Sequence, residues 1–483
     1  MRRRFFGCLL FLFFTCVVRA QDKWDLQRLV AYAIDNNISV KQANLQIQYS
    51  ELELLQNRSS QIPTLNFGLN AGLNLGRREN PSTGILEDQN LFSTSTNLQS
   101  GVTIFNWFSI KNSIAASRLT IEADKAYSQK VQDDVALNVA VAYLQILLAK
   151  EQTNIADLQV HQTLSQLELT RKKVNAGALP ELNAAELEAQ LARDSSALIT
   201  SQSAIQQSLL QMKALLNLDA SLPFDVATPP VDKIPIETLA DLQPEAVYNL
   251  ALKNLSQQQV TPLRIQSAMK LVESAKGSMY PNISAFGNIN SSYVYFRNPI
   301  YNQVLSGYQN TGLRVDAGNG NFFNVQTPNF TQGTKTGQYF TPAPFGQQLS
   351  ANFGQGLGIG IQVPIFNGRS ARSAWERSKL NVQQLQLQDQ LEKQTLKQDI
   401  YRAYTDAIAA IEKFNASQKS VAATQKAFDF AQKRYDLNLV STYDLVNTQN
   451  NLLRARLEMV SAQYDFVFKM KLLEFYKGQG LRL

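Results

Sequence analysis

The sequence contains one unit written twice, and this duplication constrains the fold more than any other feature. The stretch "VTIFNWFSIKNSIAASRL" (102–119) is matched 261 residues later by "VPIFNGRSARSAWERSKL" (363–380). At the same offset "RKKVNAGALPELNAAEL" (171–187) falls on "QKRYDLNLVSTYDLVNT" (432–448). Because no gap separates these matches, the two halves are predicted to share one architecture. We assign the units to 21–220 and 243–483, with a Pro-rich linker at 221–242.

Each unit reads as a helix, two strands separated by a loop, a very long helix, a hairpin and a further helix. Apolar residues in the two long helices recur at steps of three and four, which is typical of a coiled-coil seam. A helix over 109–176 or 370–437 would be roughly 100 Å long at 1.5 Å per residue. The predicted seam residues are Val135, Val139, Ala142, Ile146, Leu396, Ile400, Ala403 and Ala407.

Four segments alternate apolar residues with Asn, Gln, Ser or Gly, at about 64–76, 98–105, 282–296 and 350–363. One such strand alone would also fit a soluble sheet with one wet face. Three of the segments have the length of transmembrane barrel strands, ~10–14 residues, with lipid on the apolar side and water on the other. The pattern therefore argues against an ordinary helical bundle and favours an α+β membrane protein.

Four strands per chain leave a sheet with two open edges. Hydrocarbon does not tolerate such edges, because each unpaired backbone N–H or C=O costs several kcal/mol. The chain is therefore predicted to oligomerise, with eight strands from two copies or twelve from three. Three copies would also bring twelve hairpin helices, one for each strand. This match favours a homotrimer with a 12-stranded transmembrane β-barrel continuous with a long antiparallel α-helical coiled-coil barrel.

Residues 1–20 read as a secretory signal peptide rather than a membrane anchor. A basic start precedes a 14-residue apolar run, shorter than the ~20 residues that a membrane helix needs, and small residues end the segment at Ala20. Cys8 and Cys16 both fall here, so no disulfide or thiol chemistry is expected in the rest of the chain. Residues 1–20 contain four arginines and no acidic residue, so the rest of the chain carries +3 of the formal net charge of +7. A net charge of this size gives no indication of nucleic-acid binding. No later apolar run predicts a transmembrane helix.

No residue pattern indicates catalysis, a metal site or a cofactor. His161 is the only histidine, and the Gly-rich stretches at 318–320 and 356–360 lack the strand-to-helix context of a phosphate loop. We therefore predict no enzymatic activity. The segment 297–349, rich in Asn, Gly, Tyr and Phe, is predicted to be an extracellular loop that forms either a lid over the channel mouth or a mobile surface loop.

The duplicated unit resembles the TolC-type outer membrane efflux protein family. The resemblance rests on the order of elements, the strand starts "QIPTLNF" and "MYPNISAF", the strand ends "VTIFN" and "VPIFN", and the paired hairpins. It implies a homotrimer in the outer membrane of a Gram-negative bacterium, with a barrel in outer membrane lipid and a helical tunnel in the periplasm. It also implies a periplasmic adaptor protein and an inner membrane transporter of RND or ABC type as partners.

The resemblance also implies an entrance formed by the hairpin tips. The family's tyrosine falls on Tyr435 and one of its aspartates on Asp444, whereas further charged positions fall on Asn447, Asn183 and Val440. An acidic ring of Asp444 with Glu186 is expected at this entrance. Asp444 is alternatively a helix-start residue near the positive end of a helix dipole, a role compatible with the first. The expected tip and adaptor-contact residues are Gly177, Ala178, Leu179, Asn438, Leu439 and Val440.

The function indicated by the sequence is a passive exit duct of a tripartite efflux system that exports small molecules. The same duct serving type I protein secretion is an alternative that the sequence leaves open, because the partner decides between them. A coiled-coil tether without channel activity is an alternative of a different class.

Overall fold

The computed structural model describes residues 23–79, 86–88, 90–230, 234–235, 237–437 and 439–478. The predicted signal peptide and Asn438 lie outside the described residues. The chain divides into two units. The helical unit comprises the described residues of Met1–Glu53, Ala116–Met269 and Lys379–Leu483, and the strand unit comprises those of Leu54–Ala115 and Lys270–Ser378.

Helices make up most of the described chain, and two of them have 67 residues each, a length of roughly 100 Å. A short 3₁₀ turn at Leu239–Leu242 precedes the fifth helix. The helices are α1 Leu26–Asn36, α2 Ile38–Ser59, α3 Ser109–Asn175, α4 Glu181–Leu216, α5 Pro244–Asn254, α6 Gln257–Gly277, α7 Phe345–Ala351, α8 Ser370–Asp436 and α9 Thr442–Tyr476.

The duplication is visible in the backbone. Helices α3 and α8 begin and end at positions 261 residues apart, and so do the starts of α4 and α9. Left-handed residues repeat at the same offset: Trp107 and Phe108 precede α3, and Gly368 and Arg369 precede α8, all with φ between 51° and 64°. A non-glycine residue in this region costs about 1 kcal/mol or more. The sharp strand-to-helix turn is therefore imposed by the fold in both repeats.

The predicted coiled-coil seams form the cores of the helical unit. All eight seam residues are buried. The seam of α3 packs with α1, α4 and α9 in one apolar cluster, and the seam of α8 packs with α5 and α9 in another. The second cluster reuses positions of the first, since Met470 and Leu473 lie 261 residues after Leu209 and Met212. Burying each such side chain stabilises the fold by roughly 1.5–3 kcal/mol.

Helix α3 passes the length and hydropathy test for a membrane span, with a mean hydropathy of 1.3 over 18 residues, of which 44% are buried. Val139, Ile146 and Leu147 of this helix are buried in the apolar cluster that also contains α1 and α4. Their burial is the pattern of a core helix.

The strand unit contains an antiparallel four-stranded sheet whose strands are, in spatial order, β1 Thr64–Asn74, β4 Leu91–Phe105, β5 Asn282–Tyr295 and β8 Gly354–Gln362. Strands β1 and β8 each have one partner, so the sheet has two free edges within the described residues. Two short strands, β2 Arg77–Glu79 and β3 Leu86–Asp88, pair with each other.

The two faces of this sheet differ in chemistry. The register places Leu65, Phe67 and Leu69 of β1 on the same face as Ile359 and Ile361 of β8. These apolar side chains are exposed, and Leu357 on the same face reaches 94% exposure. The opposite face carries mainly Asn, Ser, Gln and Gly. A large exposed apolar face of this kind marks a membrane or partner surface rather than a soluble sheet.

Three sequence expectations about the strand unit are corrected. Strand β4 begins at Leu91, seven residues before the predicted 98, because the polar Ser and Thr residues before it also pair in the ladder. Strand β8 begins at Gly354 rather than 350, because residues 345–351 form α7. The predicted long loop 297–349 is instead mostly an antiparallel ribbon of two 19-residue strands, β6 Asn298–Asp316 and β7 Phe322–Phe340, followed by α7.

The start of the Pro-rich linker is held against helices α3 and α4 by hydrogen bonds and an ion pair. Residues 231–233 and 236 of the linker lie outside the described residues. Lys213 of α4 donates hydrogen bonds to the carbonyl oxygens of Ala220 and Leu222 at 2.8 and 2.6 Å. Lys150 of α3 forms an ion pair with Asp225 at 2.6 Å. Burial opposes ionisation of Asp225, but the hydrogen bonds from Lys150 and from the Val226 amide outweigh it, so the pKa of this carboxyl is lowered.

We expect Asp225→Asn to lower the stability of the helical unit at neutral pH by about 0.5–1 kcal/mol, since the ion pair is partly screened by solvent. Because the folded-state pKa of Asp225 is lowered, its contribution is present above the unfolded value of about 3.9 and is lost as the pH falls through the folded value. Thermal unfolding followed by circular dichroism should therefore separate the variant from the wild type at pH 7 and not in strong acid. The exposed Asp429→Asn is the control, and an equal difference at both pH values would contradict the assignment.

Candidate functional site

The predicted entrance residues lie at the ends of two helical hairpins within the helical unit. Helix α3 ends at Asn175 and α4 begins at Glu181. Helix α8 ends at Asp436 and α9 begins at Thr442. The two reversals are thus short turns at equivalent positions of the duplicated chain.

The first tip is a Schellman turn built on Gly177. This residue has a φ of 74°, which glycine adopts without steric cost. The Gly177 amide donates to the Val174 carbonyl at 2.8 Å, and the Ala178 amide donates to the Lys173 carbonyl at 2.9 Å. Gly177 and Ala178 are exposed, and Leu179 is half-buried. The turn therefore offers its outer residues to a partner while its own carbonyls are satisfied.

The second tip repeats part of this geometry. The Leu439 amide donates to the Arg434 carbonyl at 2.8 Å, the same spacing as the bond from Ala178 to Lys173. Leu439 is exposed, whereas Val440 is half-buried against the cluster that contains Tyr435 and Leu445. The two tips share a reversal but present different side chains.

Asp444 closes a capping box at the start of α9. Its backbone amide donates to Ser441 Oγ at 3.1 Å, and its carboxylate accepts the Ser441 hydroxyl at 2.7 Å. An acidic residue in the first turn also interacts favourably with the helix dipole. The side chain is nevertheless exposed. Asp444 therefore has the helix-start role, and its negative charge stays accessible to solvent.

Tyr435 is a buried pin between the two hairpins rather than a lining residue of this chain. It is 5% exposed, and its hydroxyl lies 3.0 Å from Thr170 Oγ1 of α3 and 3.4 Å from Thr442 Oγ1 of α9. Lys173 Nζ lies 5.7 Å from the centre of its ring. A single side chain thus ties α3 of the first hairpin to both helices of the second.

The remaining predicted entrance residues are next to buried residues in the sequence, but they do not bond to each other. Asn447 is exposed, and Asn183 and Glu186 are half-buried. Their neighbours Ala184, Leu187 and Val446 pack together with Leu167. Among the residues that the structure describes, no hydrogen bond or ion pair links Asn183, Glu186, Asp444 and Asn447 to one another.

A buried polar layer further along the first hairpin was not predicted from the sequence. Asp194 Oδ2 accepts the Thr163 hydroxyl at 2.6 Å, and Asp194 Oδ1 accepts the Gln190 amide at 2.7 Å. Gln190 also donates to Asn450 at 3.0 Å, and Gln449 donates to Thr163 at 3.0 Å. The layer connects α3, α4 and α9. The only signal for it in the sequence is that polar residues interrupt the apolar spacing of the helices.

Aromatic side chains gather at both ends of the four-stranded sheet. At the end nearest α3, Trp107 lies 5.5 Å from Phe105 and 4.9 Å from Tyr280, measured between ring centres. At the other end, Tyr293 lies 6.4 Å from Phe92 and 5.0 Å from Phe345. Aromatic girdles flank the apolar band of outer membrane barrels, and an 11-residue strand tilted by about 40° spans roughly the required 25 Å.

The comparison with known proteins decides the family. The family model described as outer membrane efflux protein matches residues 29–218 and 346–471. The chain belongs to the outer membrane efflux protein family. The resemblance predicted from the sequence is thereby confirmed, and the chain is an outer membrane protein. Residues 219–345, which include β5, β6 and β7, lie outside the matched ranges.

Two curated relatives agree with this membership. The chain is 26% identical over 111 residues to the outer membrane efflux protein BepC of Brucella suis, covering 23% of this chain and 24% of the relative. It is 21% identical over 295 residues to the pyoverdine export outer membrane protein OpmQ of Pseudomonas putida, covering 59% and 60%. The matches thus span less than two thirds of either relative.

The fold is similar to that of CusC, whose crystal structures concern folding and transmembrane channel formation. The TM-score is 0.73 at 17% sequence identity, over 94% of this chain and 92% of CusC. This similarity confirms the predicted fold class, in which long helices accompany a four-stranded sheet.

We expect Tyr435→Phe to loosen the hairpin ends, since it leaves the buried Thr170 hydroxyl without its partner at a cost of about 1 kcal/mol. Hydrogen exchange of the backbone at 168–176 and 433–445 should become faster than in the wild type. Tyr443→Phe is the matched control, because Tyr443 lies on the same hairpin with 67% exposure. Equal exchange in both variants would contradict the role of Tyr435 as a pin.

Proposed function

We propose that three copies of this chain form a channel-tunnel that serves as the passive exit duct of an efflux system. Each copy contributes four strands to a 12-stranded barrel in the outer membrane, with the helical unit in the periplasm. The observation that carries the proposal is the sheet with an exposed apolar face and two free edges, within a chain of the outer membrane efflux protein family. In lipid, the unpaired N–H and C=O groups of these edges are satisfied when the edge strands of neighbouring copies pair with them.

The trimer is favoured over other closed assemblies by the hairpins. Each chain brings two helical hairpins, and therefore four long helical segments, for its four strands. Three copies would match twelve strands to twelve helices. Eight strands from a dimer would leave a barrel whose interior is filled by side chains, whereas twelve leave room for a water-filled passage.

We infer that the duct works with a periplasmic adaptor and an inner membrane transporter of RND or ABC type, because a passive passage needs an energised partner. The proposed adaptor contacts are the tip residues, of which Gly177, Ala178 and Leu439 are exposed and Leu179 and Val440 are half-buried, together with Asn438. The relative OpmQ is named for pyoverdine export, which supports small molecules as the exported class.

At the entrance we propose that Asp444 supplies an exposed ring of three carboxylates, one from each copy. Glu186, Asn183 and Asn447 are proposed as neighbours of that ring, and Tyr435 as the side chain that holds the hairpins together behind it. Like-charge rings favour cations in a narrow passage. The capping role of Asp444 supports this assignment, because it fixes the carboxylate at the helix start while leaving it exposed.

Purified protein in planar bilayers should show single-channel conductance, and the mass of the conducting species should be that of three chains. Monomers without conductance would contradict the proposal and favour a tether. Conductance from a dimer would contradict the trimer alone.

We expect Asp444→Ala to reduce the preference for cations, measured as a shift of the reversal potential towards zero in a salt gradient. Ser441→Ala is the matched control, because it removes the same helix cap and keeps the charge. If neither variant shifts the reversal potential, Asp444 does not face the passage. A shift in both would assign the effect to the cap.

A further inference from the structure

One aromatic side chain stands on the polar face of the four-stranded sheet. Strand β5 carries Ser284, Asn288 and Asn290 on that face, and the register places Phe286 among them. Over the described strands of this sheet, Phe286 is the one aromatic residue on the polar face within the paired rows. The residues opposite Phe286 on the two adjacent strands are both glycines, Gly101 of β4 and Gly358 of β8.

The ring of Phe286 lies against the backbone of β8. A Cβ atom at Gly358 would be 2.6 Å from Phe286 Cζ and 3.1 Å from both Cε atoms. A Cβ at Gly360 would be 3.9 Å from the same ring. A Cβ atom at position 358 would therefore require the ring to move. Gly358 and Gly360 therefore form a shallow site, which we call the glycine seat. There the ring of Phe286 lies against the sheet instead of projecting from it.

The seated ring remains accessible. Phe286 is 48% exposed, so the side of the ring that faces away from Gly358 is open to the space in front of the polar face. The same pair of strands has the inverse arrangement on the apolar face, where Leu357 lies over Gly287. On each face, therefore, a large apolar side chain lies against a glycine of the neighbouring strand, in adjacent rows.

We propose that Phe286 on its glycine seat is a stacking platform for planar aromatic solutes that pass through the duct. The inference rests on the proposed function, because the polar face lines the passage only in the closed barrel. An aromatic face attracts other rings and organic cations, and stacking of this kind prolongs residence by about two- to tenfold. Such weak retention suits a duct, in which a solute must also leave.

The alternative is that the ring only covers exposed glycine backbone and stabilises strand pairing. The two roles differ in what happens to current through the channel. A stacking platform changes the residence of aromatic solutes when the ring is removed. A cover for glycine changes the stability of the barrel and leaves solute residence unaltered.

Single-channel block in planar bilayers tests the platform directly. The probes are ethidium, a planar aromatic cation, and tetrapropylammonium, a cation without a ring. In Phe286→Leu, which keeps apolar bulk and loses the aromatic face, we expect ethidium block events to shorten severalfold while tetrapropylammonium block is unchanged. Phe286→Ala should have the same effect on ethidium.

The seat is tested by Gly358→Ala. The added methyl group meets the ring at 2.6 Å and must push it off the wall into the passage, so the open-channel conductance should fall. Adding Phe286→Ala in the same chain should restore the conductance. Gly287→Ala is the matched control, since it belongs to the adjacent row on the apolar face. Its added methyl group would meet the flexible end of Leu357 at 2.8 Å and the Gly356 carbonyl oxygen at 3.7 Å, which is an ordinary contact.

Unchanged ethidium block in both Phe286 variants would overturn the inference and leave the ring as a cover for glycine. Unchanged conductance in Gly358→Ala would overturn the seat. If the wild-type trimer conducts and the variants show the same block and conductance as the wild type, this inference alone is contradicted. A wild-type protein that does not conduct contradicts the proposed function as well.

Discussion

The unpaired edges of a four-stranded sheet are the constraint on which the rest of this structure depends. Among the described residues, strands β1 and β8 each leave one row of backbone N–H and C=O groups outside the sheet's pairing. The apolar face of the same sheet is exposed. In hydrocarbon each open backbone group costs several kcal/mol, so the sheet is compatible with a membrane only when the edges of several copies meet. This requirement of the backbone is the physical basis of the proposed assembly.

Duplication gives each chain the parts for such an assembly in matched pairs. The two 67-residue helices, the left-handed turns before them and the buried seams all recur at one offset. The copies differ where the hairpins carry polar residues. Asp194 is buried in a hydrogen-bonded layer of the first hairpin, whereas Ala455 occupies the equivalent position of the second. The two hairpins of one chain are therefore distinguishable in packing.

Much of this fold could be predicted from the sequence because its signals are periodic. Val139 and Ile400 follow the helical spacing, and Leu65 to Leu73 alternate with polar residues, so burial and strand faces follow from the pattern. The ribbon of β6 and β7 has no such alternation, and its register shifts at four places, so which residues pair is set by contacts that the residue spacing does not show. Asp194 was missed for a related reason, since a polar residue in a helix reads as solvated until its partners Thr163 and Gln190 are brought to it. The burial of Tyr435 likewise depends on Thr170, 265 residues away.

Cross-linking across the free edges of the sheet tests the central claim most directly. In a chain with Cys8 and Cys16 replaced by serine, Leu69→Cys on β1 and Ile359→Cys on β8 would be joined in membranes by a short bismaleimide. The account predicts a covalent species of three chains on denaturing gels, and none larger than a dimer from either single-cysteine variant. Cross-links confined to monomers, or a series of products extending beyond three chains, would contradict a barrel closed by three copies.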